Sequence, residues 1–177
     1  MQSYLKAPKR PLIPSGQVQL DGMVLPSEIL HLAELFPIGS STQSTPELRH
    51  LILSCIPPAD KVLNLVDRYY RHIACLYDPI PREQFMTRVY DRLFYGSRYS
   101  DVSAVPFDHV SLLFIVLALS VLADLKQSFT SDDSDPYFFL ALAAFSLESR
   151  LTAPTLASIQ ALVRSKRSRG FVFRYWD

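Results

Sequence analysis

One segment near the middle of the chain combines a helical stripe of apolar side chains with a proline-locked end. Residues 60–76 carry apolar side chains at helical spacing, and most of their charged side chains lie outside that stripe. The stripe consists of Val62, Leu65, Val66, Tyr69, Ile73 and Leu76. Asp-Pro-Ile-Pro at 78–81 then ends the helix, because each proline fixes φ and removes a backbone donor. The segment therefore predicts an amphipathic helix, an elbow and the start of a second helix.

Further helical signals extend over most of the remaining chain. We predict helices over residues 27–37, 45–57, 82–95, 108–126, 137–148 and 155–163. Ser27, Thr45, Asp108 and Thr155 have side chains that commonly cap helix N-termini, and Pro46 suits the first helical position. In the helix over 82–95 the inward side chains are expected to be Phe85, Val89 and Leu93, with neighbouring Met86 and Phe94. No segment has a convincing strand pattern, so the predicted fold class is all-α, an irregular multi-helix bundle.

Composition divides the chain into three parts. Residues 1–26 contain four prolines without helical periodicity and are predicted to be an arm or linker. Residues 27–163 form the predicted helical domain, and residues 164–177 form a basic and aromatic tail. The formal net charge is +1, so no overall field attracts the chain to nucleic acid. Two clusters of basic residues are present. One consists of Lys6, Lys9 and Arg10, and the other of Arg164, Lys166, Arg167 and Arg169. Exposure to solvent is the favoured interpretation of both, and phosphate contacts or a nuclear localisation signal are the alternatives.

No catalytic, cofactor-binding or metal-ligating residues can be assigned, and the chain is not expected to be an enzyme. It lacks a nucleophile elbow and a phosphate-binding loop, and its four histidines are scattered. Cys55 and Cys75 fit buried thiols better than a zinc site. The acidic loop at 132–135 lacks the spacing of a calcium site. The aromatic side chains around the elbow, Tyr69, Tyr70, Tyr77 and Phe85, are expected in the core, with a partner or effector groove as the alternative.

Residues 110–123 form the most apolar run of the chain. A membrane-spanning helix needs roughly 18 or more apolar residues, and this run is shorter and is followed by Asp124 and Lys126. A buried core helix is therefore the favoured interpretation. A small membrane-associated protein is the weaker alternative.

Two segments together resemble the fungal-specific transcription factor domain, the middle homology region of binuclear zinc-cluster regulators. The first matches the family's helix and elbow, L-x-x-x-Y-F/Y-x-H-I/V followed by P-I-x-R-x-x-F. Its matching residues are Leu65, Tyr69, Tyr70, His72 and Ile73, then Pro79, Ile80, Arg82 and Phe85. Residues 112–122 match an apolar helix rich in Leu and Ala, and residues 137–147 match an aromatic and Ala-rich helix. The family's S/T-L-x-x-I/V-Q-A-L signature corresponds to Thr155, Leu156, Ile159, Gln160, Ala161 and Leu162.

The resemblance covers about residues 59–163 and implies an all-helical regulatory region of a nuclear regulator of transcription. In that family DNA is bound by a six-cysteine zinc cluster, which this sequence does not contain. DNA contact is accordingly expected only indirectly, or through a zinc-cluster domain outside this sequence. The implied partners are a protein or a second copy of the chain, with a small-molecule effector in addition, and no membrane.

The family's helical domain continues beyond the position where residues 164–170 turn basic, so the chain is expected to form an incomplete domain. Missing helices would leave an apolar face uncovered, which predicts marginal stability or dependence on a partner. The alternative function is a stand-alone helical interaction module without DNA binding. An upstream zinc cluster in the same reading frame would favour the regulator, and detergent-dependent solubility would favour the membrane alternative.

Overall fold

A computed structural model describes residues 18–20, 23–36, 46–74, 80–95, 106–123 and 135–147. Helices account for 79% of these residues, which confirms the all-α prediction. The helices are α1 (Ser27–Glu34), α2 (Pro46–Ser54), α3 (Ala59–His72), α4 (Arg82–Phe85), a π-helical turn (Met86–Tyr90), α5 (Asp91–Phe94), α6 (Phe107–Leu122) and α7 (Asp135–Leu147). The predicted helix over 155–163 and the basic tail lie outside the described residues.

A short β-hairpin precedes α1, where the sequence analysis expected no strand. Strand β1 (Gln19–Leu20) pairs antiparallel with β2 (Met23–Val24), and β1 packs against α7. Val18, Leu20 and Leu25 are buried, so the last part of the predicted arm belongs to the core. Two-residue strands are too short for an alternating pattern to reveal, and they are stabilised by packing on the helices. The proline-containing residues 1–17 lie outside the described residues.

Helices α6 and α7 form the centre of the molecule and run antiparallel. The Ser111 hydroxyl donates a hydrogen bond to the Ala141 carbonyl at 2.8 Å. The rings of Phe114 and Tyr137 stack with their centroids 6.4 Å apart. A later residue of α6 thus meets an earlier residue of α7. Helix α1 packs on α7 and α3 packs on α6. Both central helices are apolar on nearly all sides, and such helices must be covered on all sides by other elements.

Prolines, rather than capping side chains, precede the helices at four of the described starts. Pro26, Pro58, Pro81 and Pro106 stand immediately before α1, α3, α4 and α6, with φ between −75° and −54° and extended ψ. Ser27 and Asp108 therefore lie inside their helices, and their predicted capping role is wrong. The N-cap residue needs a non-helical ψ, which a proline reaches with its ring-fixed φ.

Pro46 occupies the first position of α2 as predicted. Thr45 and Thr155, the other two predicted caps, lie outside the described residues.

The predicted helix over 82–95 is present but is not a regular α-helix. The Asp91 amide donates to the carbonyl of Met86, five residues earlier, which closes a π-helical turn. Phe85 and Tyr90 are 0% and 2% exposed, so both face the core. In an α-helix residues five apart point in very different directions, and the sequence analysis therefore missed Tyr90.

The long apolar helix ends at Leu122, earlier than its predicted end at residue 126. Across the part of the chain that the structure describes, no helix combines the length and the apolar character needed to cross a membrane.

Candidate functional site

The junction between α3 and α4 contains most of the residues that carry the first half of the resemblance. Helix α3 has one apolar face, with Val62, Leu65, Val66 and Tyr69 buried against the core. Ile80 and Phe85 are 2% and 0% exposed on the other side of the elbow. Pro79, Tyr77 and Cys75 lie outside the described residues. The structure thus brings the two halves of this signature together through their apolar side chains.

Tyr70 connects the two helices. Its hydroxyl donates to the Ile80 carbonyl at 3.0 Å, which holds the chain just before α4. Its ring packs edge to face against the rings of Tyr69 and Phe85, with centroid distances of 5.0 Å and 6.2 Å. Edge-to-face aromatic pairs add about 0.5–1.5 kcal/mol beyond the area that they bury. Tyr69 and Phe85 are buried in the core as the sequence analysis expected, whereas Tyr70 is half-buried and packs against them.

An exposed ion pair links the same two helices at the surface. The Arg82 guanidinium donates to the Asp67 carboxylate, and both side chains are about half exposed. Exposed ion pairs typically contribute about 0–1 kcal/mol because water and salt screen them. Arg82, which matches the family signature, thus has a local partner within the junction, and so its presence can be explained by structure alone.

Charged side chains of both signs lie on the outer surface of this layer. Arg71, Arg88 and Arg92 are exposed on α3, the π-helical turn and α5. Asp60, Glu83 and Asp91 are exposed on α3, α4 and α5. A mixed surface of this kind offers charged contacts to a protein partner without a field strong enough to select nucleic acid.

A second group of polar side chains lies at the start of α6. The Arg49 guanidinium carbon of α2 lies 4.3 Å from the centroid of the Phe107 ring, and Arg49 is only 8% exposed. Asp108, the residue after Phe107, is also buried, and its Oδ1 accepts a hydrogen bond from the His109 amide at 2.8 Å. A guanidinium over an aromatic ring forms a cation–π contact of about 0.5–2 kcal/mol. This group fixes α2 on the first turn of α6.

Sequence analysis did not select Arg49. A signal was available, because Arg49 shares a helical face with Ile52 three residues later, and Ile52 is 0% exposed. That position indicates only that the aliphatic stem packs on the apolar stripe, because arginines usually keep their charged heads in water. His109 lies half-buried in the first turn of α6, and His31, His50 and His72 are exposed.

Reactive groups in the described residues are few and dispersed. Cys55 is buried and free, and its thiol contacts the Leu51 carbonyl at 3.4 Å. Burial raises the pKa of the Cys55 thiol, which makes it a poorer nucleophile. Within the described ranges no group of three or more His, Cys, Asp or Glu side chains is close enough to hold a metal ion.

The second half of the resemblance is only partly placed. Residues 137–147 lie in α7, where nearly every side chain is buried, and residues 112–122 lie in α6. Both segments therefore supply core packing, in agreement with the predicted core helices. Residues 155–162 lie outside the described residues. No family model, no curated protein and no solved structure matches the chain.

Proposed function

We propose that this chain is a regulatory helical region of a fungal transcription factor, acts in the nucleus without catalysis, and works through contacts with a protein partner or a second copy of itself. DNA binding is supplied by a zinc-cluster domain outside this sequence. A small-molecule effector is the further expected ligand. The observation that carries the proposal is the order of the family's signature residues along the sequence.

The packing at the α3–α4 junction supports this proposal. Tyr70, Ile80 and Phe85 come from two different helices, are separated by up to fifteen positions in the sequence, and contact one another directly or through a hydrogen bond. These signature residues therefore belong to one packed unit within the described part of the chain. The all-α fold agrees with the fold of the family.

The stand-alone interaction module remains the second candidate, and the continuity of the core favours it. Among the described residues, buried apolar side chains from the β-hairpin, α1 to α4, the π-helical turn, α6 and α7 form one cluster. Val24 and Tyr95 are the only large apolar side chains that are strongly exposed among the described residues. The uncovered apolar face that the sequence analysis expected is therefore not found in this part of the chain, and a module built around its own core fits this observation.

A tethered reporter assay tests the proposal. The full chain is fused to an unrelated DNA-binding domain in a fungal host, with a reporter gene that carries the matching sites. We expect the fusion to change reporter output and the unfused chain to accumulate in the nucleus. A chain that is helical by circular dichroism, stays outside the nucleus and leaves the reporter unchanged would contradict the proposal.

Charge-reversal variants sharpen the assay. Arg71→Glu and Arg88→Glu alter exposed side chains and are expected to change stability by no more than about 0.5 kcal/mol. We expect them to reduce the reporter response if this mixed charged surface is the contact surface. Leu65→Ala, which damages the core beneath the same helix, is the matched control for loss of folding.

The two candidates differ in chromatin association. Cross-linking to chromatin of the endogenous protein that contains this sequence should enrich promoter DNA if the chain works within a DNA-bound regulator. A folded chain without such enrichment that still sediments as a complex would support the stand-alone module.

A further inference from the structure

We draw no further inference here: the strongest candidate, the surface patch that exposed Tyr95 forms with half-buried Leu93 and Phe94 at the end of α5, carries none because nothing in the structure shows what covers it.

Discussion

The α6–α7 pair and the layer formed by α3, α4 and α5 are held together in different ways. Side chains of the central pair are apolar on almost every side, and α6 carries an interior hydrogen bond from Ser111 to the Ala141 carbonyl. The outer layer is amphipathic and depends on the Tyr70 hydroxyl, a ring cluster and a π-helical turn. The central pair is thus stabilised mainly by buried apolar area. The arrangement of α3, α4 and α5 depends in addition on a few specific hydrogen bonds and ring contacts.

This difference explains why the same chain has regions that tolerate change unequally. Removing one apolar side chain from the centre leaves a cavity that surrounding helices cannot fill. Removing one contact from the exposed side of the outer layer loses only that contact, since water is close by. The expected effects of substitution therefore decrease from the centre to the surface.

The largest effect is expected for Leu113→Ala in α6. Leu113 is 0% exposed, and truncation of a fully buried leucine costs about 2–5 kcal/mol of unfolding free energy. Urea denaturation followed by circular dichroism measures the loss. Leu119→Ala, at a half-buried position of the same helix, is the control and should cost clearly less. Equal losses for the two variants would show that α6 is not the centre of the core.

A smaller effect is expected for Tyr70→Phe at the junction. The substitution keeps the ring against Tyr69 and Phe85 but removes the hydrogen bond to Ile80, at a cost of about 0.5–1.5 kcal/mol. Tyr95→Phe, at a residue that is 71% exposed, should leave the unfolding free energy almost unchanged. If both variants denature at the same urea concentration as the wild type, the Tyr70 hydroxyl does not hold the elbow.

Alkaline pH should weaken the fold through two buried weak acids, Cys55 after α2 and Tyr90 in the π-helical turn. Burial raises the pKa of the Cys55 thiol above its ordinary 9.0 and that of the Tyr90 hydroxyl above its ordinary 10.0. Both groups ionise more readily in the unfolded chain, so their contribution to stability is complete below pH 9 and declines as the pH rises through the raised pKa values.

Variants at these two positions separate the contributions. Cys55→Ala should reduce the decline in unfolding free energy that begins near pH 9, and Tyr90→Phe should reduce the part that begins near pH 10. Each profile is compared with the wild-type profile over the same pH range. Profiles that keep the full wild-type slope in both variants would exclude these two groups as the cause.

The smallest effect is expected for Arg82→Ala. Its ion pair with Asp67 is exposed on both sides, so the loss should lie within about 1 kcal/mol. The difference from the wild type should shrink further in high salt, because salt screens exposed charges. Denaturation at low and high salt checks this, and a large loss that is insensitive to salt would assign a packing role to the Arg82 side chain.

Particular residues show where the sequence sufficed for prediction. The stripe from Val62 to Tyr69 predicted the buried face of α3, because one period of 3.6 residues determines one face of a helix. The all-apolar run in α6 predicted a core helix for the same reason. The aromatic side chains Tyr69 and Phe85 were expected in the core and are buried there.

Other features could not be read from local patterns. The β-hairpin at Gln19–Val24 is too short to produce a period, and its packing on α7 joins residues far apart in sequence. Arg49 looks like a surface cation until Phe107 is placed beneath it. The proposed regulatory function and nuclear location stay predictions, since they depend on sequence signatures and on partners rather than on described contacts.

The sequence by itself determined that this protein is helical, that prolines stand at the ends of several helices, and which face of α3 is buried. Local spacing and proline chemistry control these features, and both can be read along the chain. Only the tertiary structure showed that a π-helical turn brings Tyr90 into the core, that β1 packs on α7, and that α6 lies antiparallel to α7. These features depend on contacts between segments that are far apart in the sequence, which no single segment contains.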